Sequence, residues 1–106
     1  MTSVERPRPG ELVRRERASI VAFLATRGAR DVRIFGSVAR DEDDEQSDID
    51  LLVELEAERS TGGELLALLG LSEELSTLLG RRVDVVTPRT LRPEARETAV
   101  AEAVPL

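Results

Sequence analysis

The 106-residue chain contains no cysteine, histidine, lysine, tyrosine or tryptophan. Without cysteine there are no disulfides, no thiolate metal site and no thiol nucleophile. Without histidine there is no Ser-His-Asp triad and no imidazole ligand. The missing lysine removes the P-loop cation and any Schiff base. All fifteen cations are arginines. No apolar run approaches the ~20 residues that span a bilayer. The opening "MTSVERPRPGE" lacks the apolar stretch of a signal peptide, so the expected location is cytoplasmic. Any catalysis must come from carboxylates, hydroxyls, backbone amides, arginines and a recruited metal.

Apolar residues make up 41% of the chain and charged residues 34%, a balance that suits one small globular domain. The net charge of −6 argues against a general nucleic-acid binder, because phosphate attraction needs a basic surface. Pro7, Pro9 and Gly10 mark residues 1–10 as a flexible lead-in, which leaves 11–106 as a single domain.

Val13, Ile20, Val21 and Leu24 recur at helical spacing and predict one helix from Glu11 to about Arg27, stopped by Gly28. "DVRIFGS" reads as a short strand that Gly36 ends, with Val32 and Ile34 on one face and Arg33 and Phe35 on the other. Residues 37–40 can make one helical turn. "DEDDEQS" has too few apolar anchors to pack and is expected to be a solvated loop. "IDLLVELE" predicts a strand over 49–55, buried on both faces. Leucines 65, 68, 69, 75, 78 and 79 predict a helix over 64–79 capped by Gly80. Gly70 inside it points to a kink or a close contact. "RRVDVVTP" is a third strand ended by Pro88, and a last helix starts near Pro93. Helices alternating with strands predict an α+β domain: a small mixed sheet of three to four strands flanked by helices.

Ten residues separate Gly36-Ser37 from Asp48-Ile49-Asp50. On an extended strand Asp48 and Asp50 project on one side, about 6.6 Å apart. Two such carboxylates are most easily kept ionised by a cation between them. Oxygen ligands with no nitrogen or sulfur at hand favour Mg²⁺ or Mn²⁺, which are typically shared with substrate phosphate. Gly36-Ser37 offers backbone amides and a hydroxyl to such a phosphate, and Arg40, one helical turn on, adds a charged donor. Each piece alone is weak: a Gly-Ser pair is usually only a turn, and Asp-x-Asp is common at strand ends. Asp84 lies inside an apolar strand, where an acid must be exposed, paired or functional; Arg81 or Arg82 would be its partner in the plain structural case. The acidic run also fails as a calcium loop, since a frame from Asp41 puts Gln46 where Gly belongs and Leu52 where Glu belongs.

The Gly-Ser turn followed by Asp-x-Asp resembles the signature of the DNA polymerase beta-type nucleotidyltransferase superfamily. "FGSVAR", "SDIDLLV", "LLGRRVDVVTP" and "LRPEARETAVAEAVPL", in that order, are similar to the minimal nucleotidyltransferases, the MntA-type antitoxins partnered with HEPN-domain toxins. This resemblance covers roughly Ile34 to Leu106 and implies the nucleotidyltransferase fold. It also implies that Gly36 and Ser37 grip phosphate and that Asp48, Asp50 and Asp84 form a metal-binding and catalytic triad. The implied reaction is transfer of AMP from ATP, with Mg²⁺ or Mn²⁺, to a tyrosine hydroxyl of a cognate HEPN ribonuclease, releasing pyrophosphate. In-line displacement at phosphorus needs positioning and charge neutralisation, which carboxylate-held metal supplies without His or Lys. Because the chain has no tyrosine, the acceptor would belong to a partner, in a hetero-oligomer. Asp41 departs from the pattern, which often has Gly after the "GSxAR" block. Adenine preference is inherited from the family, since few aromatics are present to stack on a base.

Two other readings stand beside the enzyme. One is a non-catalytic antitoxin that covers a basic toxin with leucine-rich helices and an acidic surface. The other is a transferase acting on a small molecule such as an aminoglycoside, although those relatives usually carry an additional domain.

Overall fold

The computed structural model describes residues 6–57 and 61–106. Along the chain it runs α1 (Pro9–Arg15), α2 (Arg17–Thr26), β1 (Ala29–Phe35), β2 (Ile49–Leu55), α3 (Thr61–Leu79), β3 (Val83–Val86), a 3₁₀ turn (Pro88–Thr90), α4 (Pro93–Glu102) and β4 (Val104–Pro105). The strands form one mixed sheet in the order β3-β2-β1-β4. β1 is antiparallel to β2 and β4, while α3 carries the chain over to lay β3 parallel to β2, as a crossover must.

Alternation along the strands sorts the side chains onto two faces. Val32, Ile34, Ile49, Leu51, Val53, Val83 and Val85 pack with Val13, Ile20, Leu24, Leu68, Leu71 and Leu75 of the first three helices into the main core. Leu52, on the opposite face, is also fully buried but lies outside that cluster, which is why the "IDLLVE" run reads as apolar on both sides.

Several expectations need correction. The first helix is two: Glu16, at φ −100 and ψ 14, interrupts it. It also starts at Pro9 rather than Glu11. Residues 1–5 of the expected lead-in lie outside the described residues, but 6–10 are anchored. Arg6 donates to the Gly80 carbonyl, Arg81 Nη2 donates to the Pro7 carbonyl at 2.8 Å, and Gly10 is buried. The acidic loop is exposed at Asp41, Glu42, Asp44 and Glu45, yet Asp43 is buried. Its Oδ2 accepts the Gly10 N–H at 2.9 Å, so a carboxylate from the loop satisfies one of the unpaired amides in the first turn of α1. Gly70 makes no close contact: α3 continues through it, and a Cβ there would meet nothing within 4 Å.

The outer edge of β3 is closed by hydroxyls. In a parallel pair alternate residues point their amides at the neighbouring strand, and the others point away. The Val83 and Val85 amides donate to Ser76 Oγ and Ser72 Oγ, both at 2.9 Å, and the Thr87 amide donates to Thr90 Oγ1 at 3.2 Å. Ser72 and Ser76, one helical turn apart on α3, thereby set the phase of β3 and with it the side on which Asp84 emerges.

Candidate active site

Phe35 pairs with Asp50 across the antiparallel ladder, and Asp50 pairs with Asp84 across the parallel one. Residues in register share a face, so Phe35, Asp50 and Asp84 form a row across three strands. Asp48 precedes β2 by one residue and joins the same face by alternation. The structure therefore brings together the three acids singled out in the sequence, on the face opposite the main core.

Gly36 follows β1 at φ +75, a left-handed conformation that only glycine adopts cheaply. A Cβ at this position would collide with Asp50 Oδ2, so glycine is needed twice over. The chain then makes one helical turn, with the Arg40 amide donating to the Gly36 carbonyl at 3.2 Å and the Asp41 amide to the Val38 carbonyl at 3.1 Å. Val38 and Ala39 pack against the core. Asp41 closes the turn at φ +57. Asp is among the few side chains that tolerate this conformation. The Ser37 hydroxyl has no partner among the described residues.

Asp50 is the electrostatically perturbed member. Burial is the main cause pushing its pKa up to about 6; Asp84, Asp48 and Glu102 push in the same direction, and Arg40 opposes them. Charge relief for the other two acids comes from Arg82, whose Nε lies 3.7 Å from Asp48 Oδ2 and 3.8 Å from Asp84 Oδ2. Of the two arginines considered as partners for Asp84, it is Arg82; Arg81 is engaged with the Glu45 and Pro7 carbonyls. Arg40 does not point freely to solvent: Nη1 donates to both oxygens of Glu102 at 3.1 Å and Nε to Glu42 at 3.2 Å.

The donor set fits a hard divalent cation, being made of carboxylates that repel one another and gain from a shared counter-charge. Among the described residues no three acids are drawn close enough to enclose an ion, so the arrangement is open. Binding needs the carboxylates to rotate inward and Arg82, 72% exposed, to swing aside.

A cavity of about 350 Å³ begins at Asp50 and Asp84 and runs past Phe35, Val86 and Leu91 to Leu65 and Leu69 of α3. Sequence reasoning assigned no role to Phe35 and missed Glu102. Phe35 has a signal in its place directly before the Gly-Ser turn. Glu102 has none, because its contact spans 66 residues of sequence.

A mixed sheet with paired carboxylates beside a Gly-Ser turn defines the nucleotidyltransferase class, and the family model for the nucleotidyltransferase domain matches residues 16–106. The chain belongs to that family. It is 41% identical over 85 residues to a Methanocaldococcus jannaschii protein provisionally named protein adenylyltransferase MJ0435, covering 80% of this chain and 87% of that one. It is 40% identical over 77 residues to the protein adenylyltransferase MntA of Thermococcus cleftensis, covering 73% and 74%. A solved chain provisionally described as a minimal nucleotidyltransferase superposes with a TM-score of 0.74 at 45% identity, covering 92% and 95%. The fold is also shared by a toxin–antitoxin crystal structure with AMP-PNP, at a TM-score of 0.69 and 21% identity over 83% and 69% of the two chains.

Proposed function

We propose that the chain is the antitoxin of a toxin–antitoxin pair and acts as a protein adenylyltransferase, moving AMP from ATP to a tyrosine hydroxyl of a cognate HEPN ribonuclease toxin. The observation that carries the reaction is the row Phe35, Asp50 and Asp84 with Asp48 alongside and the Gly36-Ser37 turn directly against Asp50. The antitoxin role rests on the family resemblance and on the names of the relatives; the HEPN partner rests on the resemblance alone.

In this reading Asp48, Asp50 and Asp84 hold Mg²⁺ or Mn²⁺, which neutralises phosphate charge and polarises the reacting phosphorus when bound. Ser37 and Arg40 hold the terminal phosphates. The acceptor hydroxyl attacks the α-phosphorus, a new O–P bond forms as the bond to the β-phosphate oxygen breaks, and pyrophosphate leaves. The acceptor proton passes to a carboxylate, a role that falls to Asp84, which lines the cavity beside Asp50. The cavity has room for an apolar ring against Phe35. Leu65 and Leu69, 45% and 64% exposed, continue it outward as a surface suited to a protein acceptor.

Incubating the chain with α-labelled ATP, Mg²⁺ and the cognate toxin should label the toxin, and the Asp48→Asn, Asp50→Asn double variant should abolish the label. Persistent labelling by that variant would remove the carboxylates from the mechanism. The exposed leucines also suit an antitoxin that neutralises by binding alone; full protection of cells by the double variant would select that reading.

A further inference from the structure

α4 ends at Glu102, and the chain passes straight into β4. Val104 pairs with Ile34 and Pro105 with Arg33. Continuing this antiparallel register by two places sets Glu102 opposite Gly36, just beyond the end of β1. The Gly36 N–H accordingly donates to Glu102 Oε1 at 2.9 Å, and Arg40 Nη1 donates to Oε1 and Oε2 at 3.1 Å. One carboxylate, its side chain only 21% exposed, holds the first and last residues of the 36–40 turn through charge-assisted bonds.

We propose that Glu102 is a positioning residue for the phosphate-holding turn: it touches no substrate, but sets the orientation of Ser37 and Arg40 before nucleotide arrives. The inference rests on the reading of this turn given under Proposed function. It also refines that reading. With its N–H already bonded, Gly36 serves by its close approach to Asp50 rather than as a phosphate donor. The donors left for phosphate include the Ser37 hydroxyl and N–H and Arg40 Nη2, since Nε and Nη1 are engaged by Glu42 and Glu102. The Gly36 peptide plane fixes where Ser37 leaves the strand, and the Glu102 pair fixes the direction of the guanidinium. Releasing both leaves a flexible loop that must be ordered anew by each incoming triphosphate. The core-packed Val38 and Ala39 hold the middle of the turn but neither end.

Calorimetry on the full chain separates this role from a merely structural one. Wild type, E102A, E102Q and E102D are titrated with Mg·ATP, inorganic tripolyphosphate and AMP, with the Tm of each recorded. E102A should lose tenfold or more in affinity for Mg·ATP and tripolyphosphate, with AMP unchanged within twofold. E102Q keeps a carbonyl oxygen for the Gly36 N–H and should recover most of the loss. E102D, a methylene too short, should show the same selective loss and decides the matter should E102A not fold. Unchanged tripolyphosphate affinity, an equal loss for all three ligands, or tighter binding by E102A overturns the proposal; the last would make Glu102 a competitor for the phosphate. A wild-type chain that binds neither Mg·ATP nor tripolyphosphate overturns the reading of the turn itself, and the inference with it.

Discussion

Replacing Asp50 by asparagine removes a negative charge from a place where burial, Asp84, Asp48 and Glu102 all oppose ionisation and Arg40 alone favours it. The pKa moves from 3.8 to about 6, which at about 1.4 kcal/mol per pH unit is an upper bound of about 3 kcal/mol against folding at neutral pH. Asp50 is only half-buried, and solvent screening brings this down to about 1 kcal/mol. The sign follows from proton counts. Between pH 3.8 and about 6 the folded state holds a proton that the unfolded state has released, so stability rises as pH falls through 6 and levels off below 3.8. Asparagine has the same shape and no charge. Asp50→Asn should therefore raise the Tm by about 5 °C at pH 7.5 for a domain of this size, while abolishing transfer. The gain should shrink toward zero at pH 4, where the wild-type group is protonated. Thermal unfolding followed by circular dichroism at both pH values, in EDTA, reads the difference directly, and adding Mg²⁺ should stabilise wild type more than the variant. A variant less stable than wild type at pH 7.5, or a gain that persists at pH 4, would refute the account of Asp50 as a repelled carboxylate.

Gly36→Ala meets both a left-handed backbone and the Asp50 carboxylate, and should cost about 2 kcal/mol of stability in urea unfolding together with most of the transferase activity. Gly70→Ala, where a Cβ meets nothing within 4 Å, should stabilise α3 by up to about 1 kcal/mol and leave the rate of transfer unchanged. Asp43→Ala strands the buried Gly10 amide and should cost about 1–2 kcal/mol. If Asp43 were a metal ligand instead, the same change would weaken Mg²⁺ binding, and titration should show that it does not.

Local chemistry made much of this legible in advance. The strand over 49–55 and the helix starting at Pro93 stand where apolar patterning and proline chemistry put them. Asp84 stood out because an acid between valines needs a reason, and the parallel register beside Asp50 supplies one. What escaped was tertiary. Asp43 looks like its acidic neighbours until Gly10 is folded against it, and nothing local distinguishes the one buried carboxylate in that run. The same holds for Glu102, which is ordinary on α4 and significant only once β4 returns it to the end of β1. The leucine-rich pattern of α3 does not show that Leu68, Leu71 and Leu75 face inward while Leu66, Leu69 and Leu78 remain exposed. Amphipathic spacing blurs when both faces carry leucine.

The serine and threonine hydroxyls along β3 bear on how this protein can assemble. A free strand edge invites another chain to lengthen the sheet, but the outward amides of Val83, Val85 and Thr87 are already bonded within the chain. At the other end, β4 is two residues long and includes a proline, which cannot donate to a ladder. Growth of the sheet is thus blocked on both flanks. Among the described residues, a companion protein docking on this chain therefore meets side chains rather than an open strand edge.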